Sequence, residues 1–383
     1  MKHILSALSS ILFLVVSHQA MSSITITDNN TDTVFLKKDC SNTSNCATTL
    51  ASLIPWIWNT RLPNATNPLL VKIGTGTFLT HDNSPFSGSF CKNSGFVTFM
   101  GSGKENTVIK NSGTFNGISI NNCQNLSFQD LTFDFQTTVY GIFWQGDGNS
   151  NYNNIQLLGG GAAWYDEACS TKSTHYFIGS QISAKSFLYG LTTAYFTRCA
   201  ETWFIGSELS AESDGKPVFT VFAEGNATHK PEVHVYGSSL RASSPAGINI
   251  SDPFNPSSGL TAAFSGNANV HIHGTGIDLI SQEGNNLIAL KSENGGSIHA
   301  NQSAYVMQTG TGGSKTRLAT TGDGKIMAPY VWGDVSVTSG VTSMHGADIS
   351  VSTDNLDQQP HLLIYSENCV SNWFDSTANK CRD

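Results

Sequence analysis

The sequence is poor in charge, and this excludes several classes of protein. Asp, Glu, Lys and Arg make up 13% of the 383 residues, and the formal net charge is −8. An acidic chain with few lysines is a poor candidate for binding nucleic acid or an anionic membrane surface. Its charge also does not favour binding of a highly anionic polymer. We therefore expect no nucleic-acid partner.

No long apolar run follows the first residues, so no membrane span is predicted. Lys2 and His3 precede an apolar run from Ile4 to Val16, which is too short to cross a bilayer. Small residues follow at Ala20–Ser22, as at the cleavage site of an export signal. No cysteine directly follows the run, which argues against a lipid anchor. We expect residues 1–22 to be a signal peptide and the mature chain to be periplasmic or extracellular.

Cys-x-x-Cys pairs are absent, so neither a zinc knuckle nor a thioredoxin-type site is expected. The eight cysteines, all beyond the predicted signal peptide, are Cys40, Cys46, Cys91, Cys123, Cys169, Cys199, Cys369 and Cys381. An even number in an exported chain favours disulfides. Their short separations predict the pairs Cys40–Cys46 and Cys369–Cys381. The other four cysteines could be paired or buried in the core.

Long helical periodicity is missing from most of the chain, and short strand patterns take its place. The exception is residues 47–61, which predict one helix that Pro55 would kink or restart. From Leu69 onward, short apolar strands alternate with Gly, Asn, Ser and Asp, which tolerate positive φ or bond to their own backbone. Strands at a roughly constant spacing are typical of a solenoid, in which each turn buries its apolar face against its neighbours.

Sandwiches and propellers also use short strands, and one segment favours the solenoid over them. Residues Ile118–Phe135 show a strand–Asn–strand–Asp–strand pattern, which is typical of coils whose polar side chains stack from turn to turn. The sequence therefore predicts an all-β, right-handed parallel β-helix. We expect an N-terminal cap with a short helix over residues 23–68, the β-helix over 69–350, and a cysteine-bracketed C-terminal cap over 351–383.

Three segments of the predicted β-helix are similar to one known group of proteins. They are Leu70–Phe78, with a strand and a glycine turn, Gly101–Ile109, and Ser186–Gly190 followed by Ala194–Phe196. These segments resemble the opening turns and the Asp-Phe-Ile-Phe-Gly strand of pectin methylesterases, in the pectin lyase-like superfamily. The resemblance covers roughly residues 69–209. It implies a β-helix that hydrolyses esters on methylated galacturonan.

The catalytic residues that the resemblance implies are only partly present. In pectin methylesterases one aspartate attacks the ester, a second exchanges the proton, glutamines hold the oxyanion and an arginine orients the nucleophile. Two nearby carboxylates with separated pKa values suit this chemistry. Asp166 falls at the acid–base position, but the nucleophile position is Ser186 and the glutamine before the acid is Tyr165. The resemblance therefore implies a retained fold with degenerate catalytic machinery.

Asp166 and Glu167 are the best catalytic candidates, with Ser186 as an unusual nucleophile one coil later. A serine nucleophile needs a base, and His175 is the nearest histidine in sequence. The alternative, which we favour, is a structural role for both residues: Asp166 stabilises a turn, and Ser186 occupies a surface position that suits a small side chain.

Aromatic residues are dense between residues 140 and 203, and they are the strongest binding signal. Rings exposed on a flat sheet stack on the faces of sugars, whereas large aromatic residues also fill cores well. We weigh the two interpretations equally and expect some of each. The candidate substrate-binding residues are Tyr140, Trp144, Trp164, Tyr165, Tyr189 and Trp203.

Two other carbohydrate chemistries are less favoured. Asp130 and Asp134 could form the carboxylate pair of a hydrolase, but stacked turn aspartates are the preferred interpretation. A lyase could use Lys172, Lys185 or Arg198 as its base. No acidic cluster that would bind calcium accompanies them in the sequence.

One histidine pair could bind a metal. His271 and His273 lie two apart on a predicted strand and therefore face the same way. The next histidines, His234 and His299, are far away in sequence. Solvent-facing strand histidines are the preferred interpretation, so neither a metal nor a cofactor is expected.

The sequence as a whole predicts an exported, carbohydrate-active β-helix of pectin methylesterase type that acts on or binds an acidic polysaccharide. The alternative is a β-helix without turnover, which binds glycans or serves as an envelope structural protein. The sequence gives no indication of the oligomeric state.

Overall fold

The computed structural model describes the chain between residues 24 and 381, with gaps. The described residues are 24–80, 90–92, 95–111, 113, 115–167, 173–185, 192–213, 217–245, 259–282, 286–310, 315–320, 324–329, 333–337, 341–345, 349–352, 361–365, 374–375 and 380–381. The predicted signal peptide lies outside them. Ser186 and Tyr189 also lie outside the described residues, as does Cys369, one member of the predicted C-terminal disulfide.

The predicted helix near the N-terminus is present in a shorter form. An α-helix spans Leu50–Trp56 and continues as a π-helical turn over Ile57–Arg61. The helix begins after Thr49, whose hydroxyl accepts a hydrogen bond from the backbone N–H of Ser52 at 3.1 Å. Pro55 lies inside the helix and has no N–H to donate to the preceding turn. The wider π-helical turn begins at Ile57, two residues after the proline.

Three parallel sheets, with 14, 9 and 11 strands, enclose one core. Sheet one contains Cys46–Ala47, Thr33–Leu36, Leu69–Ile73, Gly95–Met100, Gln124–Gln129, Asn149–Asn153, Thr174–Ile178, Glu201–Ile205, Glu232–Tyr236, Asn269–His273, Ser297–Asn301, Lys325–Pro329, Val341–His345 and His361–Tyr365. Sheet two contains Gly76–Leu79, Thr107–Lys110, Thr132–Phe135, Gln156–Gly159, Gln181–Lys185, Glu208–Glu212, Ser239–Ser244, Gly276–Ser281 and Ala304–Gln308. Sheet three contains Cys91–Lys92, Asn116–Asn121, Tyr140–Gln145, Ala162–Glu167, Thr192–Thr197, Val218–Glu224, Leu260–Gly266, Leu287–Glu293, Lys315–Thr320, Gly333–Val337 and Ile349–Ser352.

The order of these strands confirms the predicted parallel β-helix. From Leu69 to Thr320 each coil adds one strand to sheet one, one to sheet two and one to sheet three. Beyond Thr320 the described strands up to His361–Tyr365 alternate between sheet one and sheet three. Each strand pairs in parallel with its counterparts in the coils before and after it. In sheet one the parallel ladder continues to His361–Tyr365, past the predicted boundary at residue 350. A separate antiparallel pair joins Phe374–Asp375 to Lys380–Cys381.

A left-handed residue marks the turn from sheet one to sheet two in successive coils. These residues, with φ from 50° to 57°, are Asp130, Asn154, Gly179, Gly206, Gly237, Gly274 and Gln302. The left-handed conformation brings Cβ close to the following carbonyl oxygen, so Gly, Asn and Asp are favoured there. The Gly, Asn and Asp residues between the predicted strands are thus explained by a turn that recurs once in each coil.

The core contains an aromatic ladder that follows the axis of the β-helix. Its members occupy the same inward position of sheet one in successive coils, with centroids 4.6–5.4 Å apart, and are Phe99, Phe128, Tyr152, Phe177 and Phe204. All five side chains are fully buried. Offset or stacked rings at this spacing add to the stabilisation that burial alone provides.

Disulfides link neighbouring parts of the N-terminal half. The predicted pair Cys40–Cys46 is confirmed, and Cys91–Cys123 connects residues 32 apart. Cys199 is also disulfide-bonded. A crosslink between coils stabilises the fold mainly by restricting the unfolded chain. Across the described ranges, no helix has both the length and the apolar character needed to cross a bilayer.

Removal of one ring from the core ladder should destabilise the protein far more than removal of an exposed ring. Phe128→Ala leaves a cavity between two stacked neighbours, and we expect a loss of about 3–5 kcal/mol in the free energy of unfolding. Phe115 is 64% exposed, so Phe115→Ala should change it by less than about 1 kcal/mol. Urea unfolding followed by circular dichroism measures both. Equal effects would contradict the position of the ladder in the core.

Candidate functional site

Asp166 points into the core, which corrects its interpretation as a catalytic residue. Side chains alternate along the strand Ala162–Glu167, so Tyr165 and Glu167 face outward while Asp166 faces inward. Its side chain is fully buried. A general acid or base must come within hydrogen-bond reach of the substrate, and Asp166 has no exposed surface for that contact.

Asp166 instead stabilises the corner at which sheet three gives way to sheet one. The hydroxyl of Thr197 donates a hydrogen bond to its carboxylate at 2.7 Å. The backbone N–H groups of Cys199 and Ala200 donate to it as well. Burial raises the pKa of Asp166 to about 7, although these three hydrogen bonds oppose the rise. This position corresponds to the turn-stabilising alternative for Asp166.

His175 is also a core residue and cannot serve as the base for a surface serine. Its imidazole meets the stacked rings of Trp144 and Trp164 edge-on, at centroid distances of 4.6 and 4.9 Å. Nδ1 lies 2.8 Å from the hydroxyl of Ser150, and Nε2 lies 3.2 Å from that of Ser173. Burial lowers the pKa of His175 to about 3, so the ring is neutral at ordinary pH.

Trp144 and Trp164 fill the core and do not form a binding surface. Both are fully buried, and their rings stack at a centroid distance of 6.0 Å. Their assignment as substrate-binding residues is therefore corrected in favour of the core-filling alternative. Side chains alternate between the two faces of sheet three, and Trp144 and Trp164 occupy inward positions, as Asp166 does. Their burial follows from this alternation.

Asp166→Asn should stabilise the protein increasingly as the pH rises from about 4 to 7. The pKa of Asp166 is about 7 in the folded protein and 3.8 ordinarily, so the folded state holds the extra proton in this range and stability falls as pH rises. The loss amounts to a few kcal/mol at pH 7. The difference in unfolding free energy between variant and wild type, measured across this range, isolates the effect.

The wild-type unfolding free energy must be subtracted because protonation of His175 changes stability with pH in the opposite direction to that of Asp166. Its pKa is lowered from 6.5 to about 3, so its contribution to stability is lost as the pH falls below 6.5. The contribution of His175 is common to both proteins and cancels in the difference. A difference that stays constant from pH 4 to pH 7 would contradict the buried, proton-binding Asp166.

The outward face of sheet three brings charged and aromatic side chains together. Some lie on its strands and others directly before or after them. We call this group the sheet-three patch, and it consists of Phe115, Tyr140, Phe143, Tyr165, Glu167, Arg198 and Glu224. Tyr140, Tyr165 and Glu167 are three of the residues that the sequence singled out.

Arg198 connects two carboxylates from different coils. Its Nη1 donates to Glu167 at 2.9 Å, and its Nη2 donates to Glu224 at 3.3 Å. The three side chains are 37–44% exposed, so solvent and a ligand can reach them. One guanidinium between two carboxylates leaves this triad with a net charge of −1. The triad offers hydrogen-bond acceptors and charged donors in fixed positions.

Aromatic rings lie beside the charged triad, and their exposure differs. The ring of Tyr140 lies 4.4 Å from that of Tyr165, and Phe115 meets Tyr140 edge-on at 5.7 Å. Tyr165 stacks on Phe196 at 4.5 Å with an interplanar angle of 7°, so these two rings cover each other's faces. Phe115 is 64% exposed and gives the group an open apolar surface at its edge.

Burial also affects the hydroxyl of Tyr165. Desolvation, followed by the nearby charge of Glu167, raises the pKa of Tyr165 to about 12. Desolvation likewise raises the pKa of Tyr140. Both phenols stay protonated at neutral pH, and the hydroxyl of Tyr165 is hydrogen-bonded to Glu167.

Of the remaining predicted substrate-binding residues, Trp203 is described and is not part of this patch. Trp203 lies on the outward face of sheet one, where it stacks on His234 at 3.8 Å. Ser186 and Tyr189 lie outside the described residues, so their assignments stay predictions. Among the members of the patch, sequence reasoning missed Phe115, Phe143 and Glu224.

The register of the coils is the signal that could have found some of the missed residues. Arg198 is 31 residues after Glu167 and 26 residues before Glu224, which is one coil in each direction. Phe143 and Tyr165 are paired directly across neighbouring strands. Coil lengths vary, however, and the sequence alone does not align one coil with the next.

Comparisons with known proteins give similar structures at low sequence identity. No protein-family model matches the chain, and no curated protein matches it. The chain is similar to pectin methylesterase from Erwinia chrysanthemi, with 12% identity, 74% of this chain and 92% of that chain covered, and a TM-score of 0.44.

Two further structures are similar at still lower TM-scores. One is the A-module of a mannuronan C-5 epimerase from Azotobacter vinelandii, with 12% sequence identity and a TM-score of 0.33. The alignment covers 79% of this chain and 91% of that chain. The other is the catalytic unit of a thermostable α-1,3-glucanase from Streptomyces thermodiastaticus, with 10% sequence identity and a TM-score of 0.30. The alignment covers 81% of this chain and 65% of that chain.

Proposed function

We propose that the protein is an exported polysaccharide-binding β-helix, and that the sheet-three patch is its binding surface. The observation that carries this proposal is the position of Arg198, which is held between Glu167 and Glu224 on the face of sheet three whose edge carries the exposed ring of Phe115. A sugar presents hydroxyl groups along its edges and C–H groups on its faces. The triad can bond the hydroxyls, and the aromatic edge can contact the C–H faces.

The local charge favours uncharged stretches of the polymer. The triad has a net charge of −1, and the whole chain has a formal net charge of −8. A free uronate would have to displace a carboxylate from Arg198 and would meet a surface of its own sign. We therefore propose that the patch binds neutral sugars or the esterified segments of an acidic polysaccharide, in preference to its ionised segments.

Export is supported by two independent features. The first residues resemble a cleavable signal peptide. The disulfides Cys40–Cys46 and Cys91–Cys123 are of a kind that persists in oxidising compartments. Both features support the proposal that the binding surface meets extracellular or envelope polysaccharides.

Ester hydrolysis at the same patch is the second candidate function. The observation that favours it is that Glu167 and Glu224 flank one guanidinium, as an arginine flanks the nucleophile in the family that the sequence resembles. Paired catalytic carboxylates work best when one is protonated and the other ionised. Here both carboxylates pair with the same guanidinium, at 2.9 and 3.3 Å, so they have the same partner and no contact that would separate their roles. Binding without turnover is therefore the stronger proposal.

Substitution of Arg198 should weaken polysaccharide binding. Arg198→Gln removes charged hydrogen bonds that are each worth about 1.5–3 kcal/mol, so we expect a decrease in affinity of about 10–100-fold. Tyr140→Ala should also weaken binding. Isothermal titration with methyl-esterified pectin, polygalacturonate and a neutral β-glucan measures both the effect and the preference for uncharged segments.

Lys110→Gln is the matched control for this experiment. Lys110 forms an exposed ion pair with Asp134 at 2.6 Å on sheet two, away from the patch. Its removal changes the net charge as Arg198→Gln does but should leave the affinity unaltered. Absence of binding to every polymer, or equal losses in the two variants, would refute the proposed surface.

An activity assay separates the second candidate from the first. Methanol release from esterified pectin, lost in Glu167→Gln, would establish hydrolysis at this patch. Binding without methanol release would establish the proposal of a non-catalytic protein.

A further inference from the structure

A column of stacked rings on the outward face of sheet one brings distant histidines together. Trp203, His234, His271 and His299 occupy equivalent positions in four successive coils. Neighbouring ring centroids in this column lie 3.8, 4.8 and 5.2 Å apart. The column is on a different sheet from the sheet-three patch.

A carboxylate lies beside two of these imidazoles. Glu232 is two residues before His234 on the same strand and faces the same way. Its Oε1 lies 3.3 Å from Nε2 of His234 and 3.8 Å from Nε2 of His271. One ligand atom from each of the three residues lies within 4.8 Å of the others.

We propose that Glu232, His234 and His271 form a binding site for one divalent metal ion of the zinc type. Two imidazoles and one carboxylate are a set of ligands that zinc uses with a fourth position left for water or a substrate. Imidazole ligands select zinc, copper or nickel over magnesium and calcium, which prefer oxygen ligands. The site is independent of the proposed polysaccharide-binding surface.

The spacing of the ligand atoms suits such an ion. With metal–ligand bonds of 2.0–2.1 Å, atoms on one edge of a tetrahedron lie roughly 3.4 Å apart. The two measured distances from Glu232, 3.3 and 3.8 Å, are close to this value. The two imidazole donors lie within 4.8 Å of each other, so they must move closer to share an ion.

One ring must rotate for both imidazoles to reach the same ion. The rings of His234 and His271 are nearly parallel, with an interplanar angle of 9°, whereas a metal lies in the plane of each imidazole that binds it. Trp203 stacks on His234 at 3.8 Å and restrains that ring. The His271 side chain is more exposed, at 26% against 10%, so it is the ring that turns toward the ion.

Zinc titration of the untagged, full-length protein tests the site. Isothermal titration calorimetry should show one zinc ion per chain, bound more tightly than about 100 µM. His271→Ala and Glu232→Gln should each weaken binding by at least about tenfold. Co²⁺ in place of zinc should give the visible absorption of a tetrahedral complex in the wild type and not in His271→Ala or Glu232→Gln.

His229→Ala is the matched control, because this exposed histidine lies outside the column and bonds to Thr228 at 2.9 Å. It should bind zinc as the wild type does. Far-ultraviolet circular dichroism establishes that each variant is folded. Absence of saturable zinc binding to the wild type, or equal affinity in His271→Ala and His229→Ala, would overturn the proposal and leave the column as ring stacking alone.

Discussion

The parallel hydrogen-bonded ladder between successive coils is the constraint on which the rest of the structure depends. It fixes the register, so each residue lies beside its counterpart one coil away. The same register stacks Phe128 between Phe99 and Tyr152 in the core and sets Arg198 between Glu167 and Glu224 on the surface. One geometric rule therefore generates both the stabilising core and the candidate binding surface.

Alternation along each strand decides which residues are available for function. In Ala162–Glu167 a shift of one position separates the buried Asp166 from the exposed Glu167. Since neighbouring side chains point to opposite faces, a carboxylate that matches a family motif in sequence can still lie in the core. The outward row of sheet three thus presents the side chains that a ligand can reach, and the inward row stabilises the corner.

Much of the fold is predictable from the sequence, whereas the site is predictable only in part. Strands and turns are local features, and the Gly, Asn and Asp residues at left-handed positions mark each coil. The local pair Cys40–Cys46 is predictable for the same reason. Contacts between coils are different, because coils vary in length and the sequence does not state their register. Glu224 and the pairing of His234 with His271 become visible only when the coils are aligned.

The central claim is that a sugar polymer binds the outward row of sheet three across neighbouring coils. A crystal structure of the protein with an oligosaccharide from its best-binding polymer tests this most directly. The account predicts sugar density that extends from the ring of Tyr140 to the guanidinium of Arg198. Density on sheet one against Trp203, with none on sheet three, would contradict it.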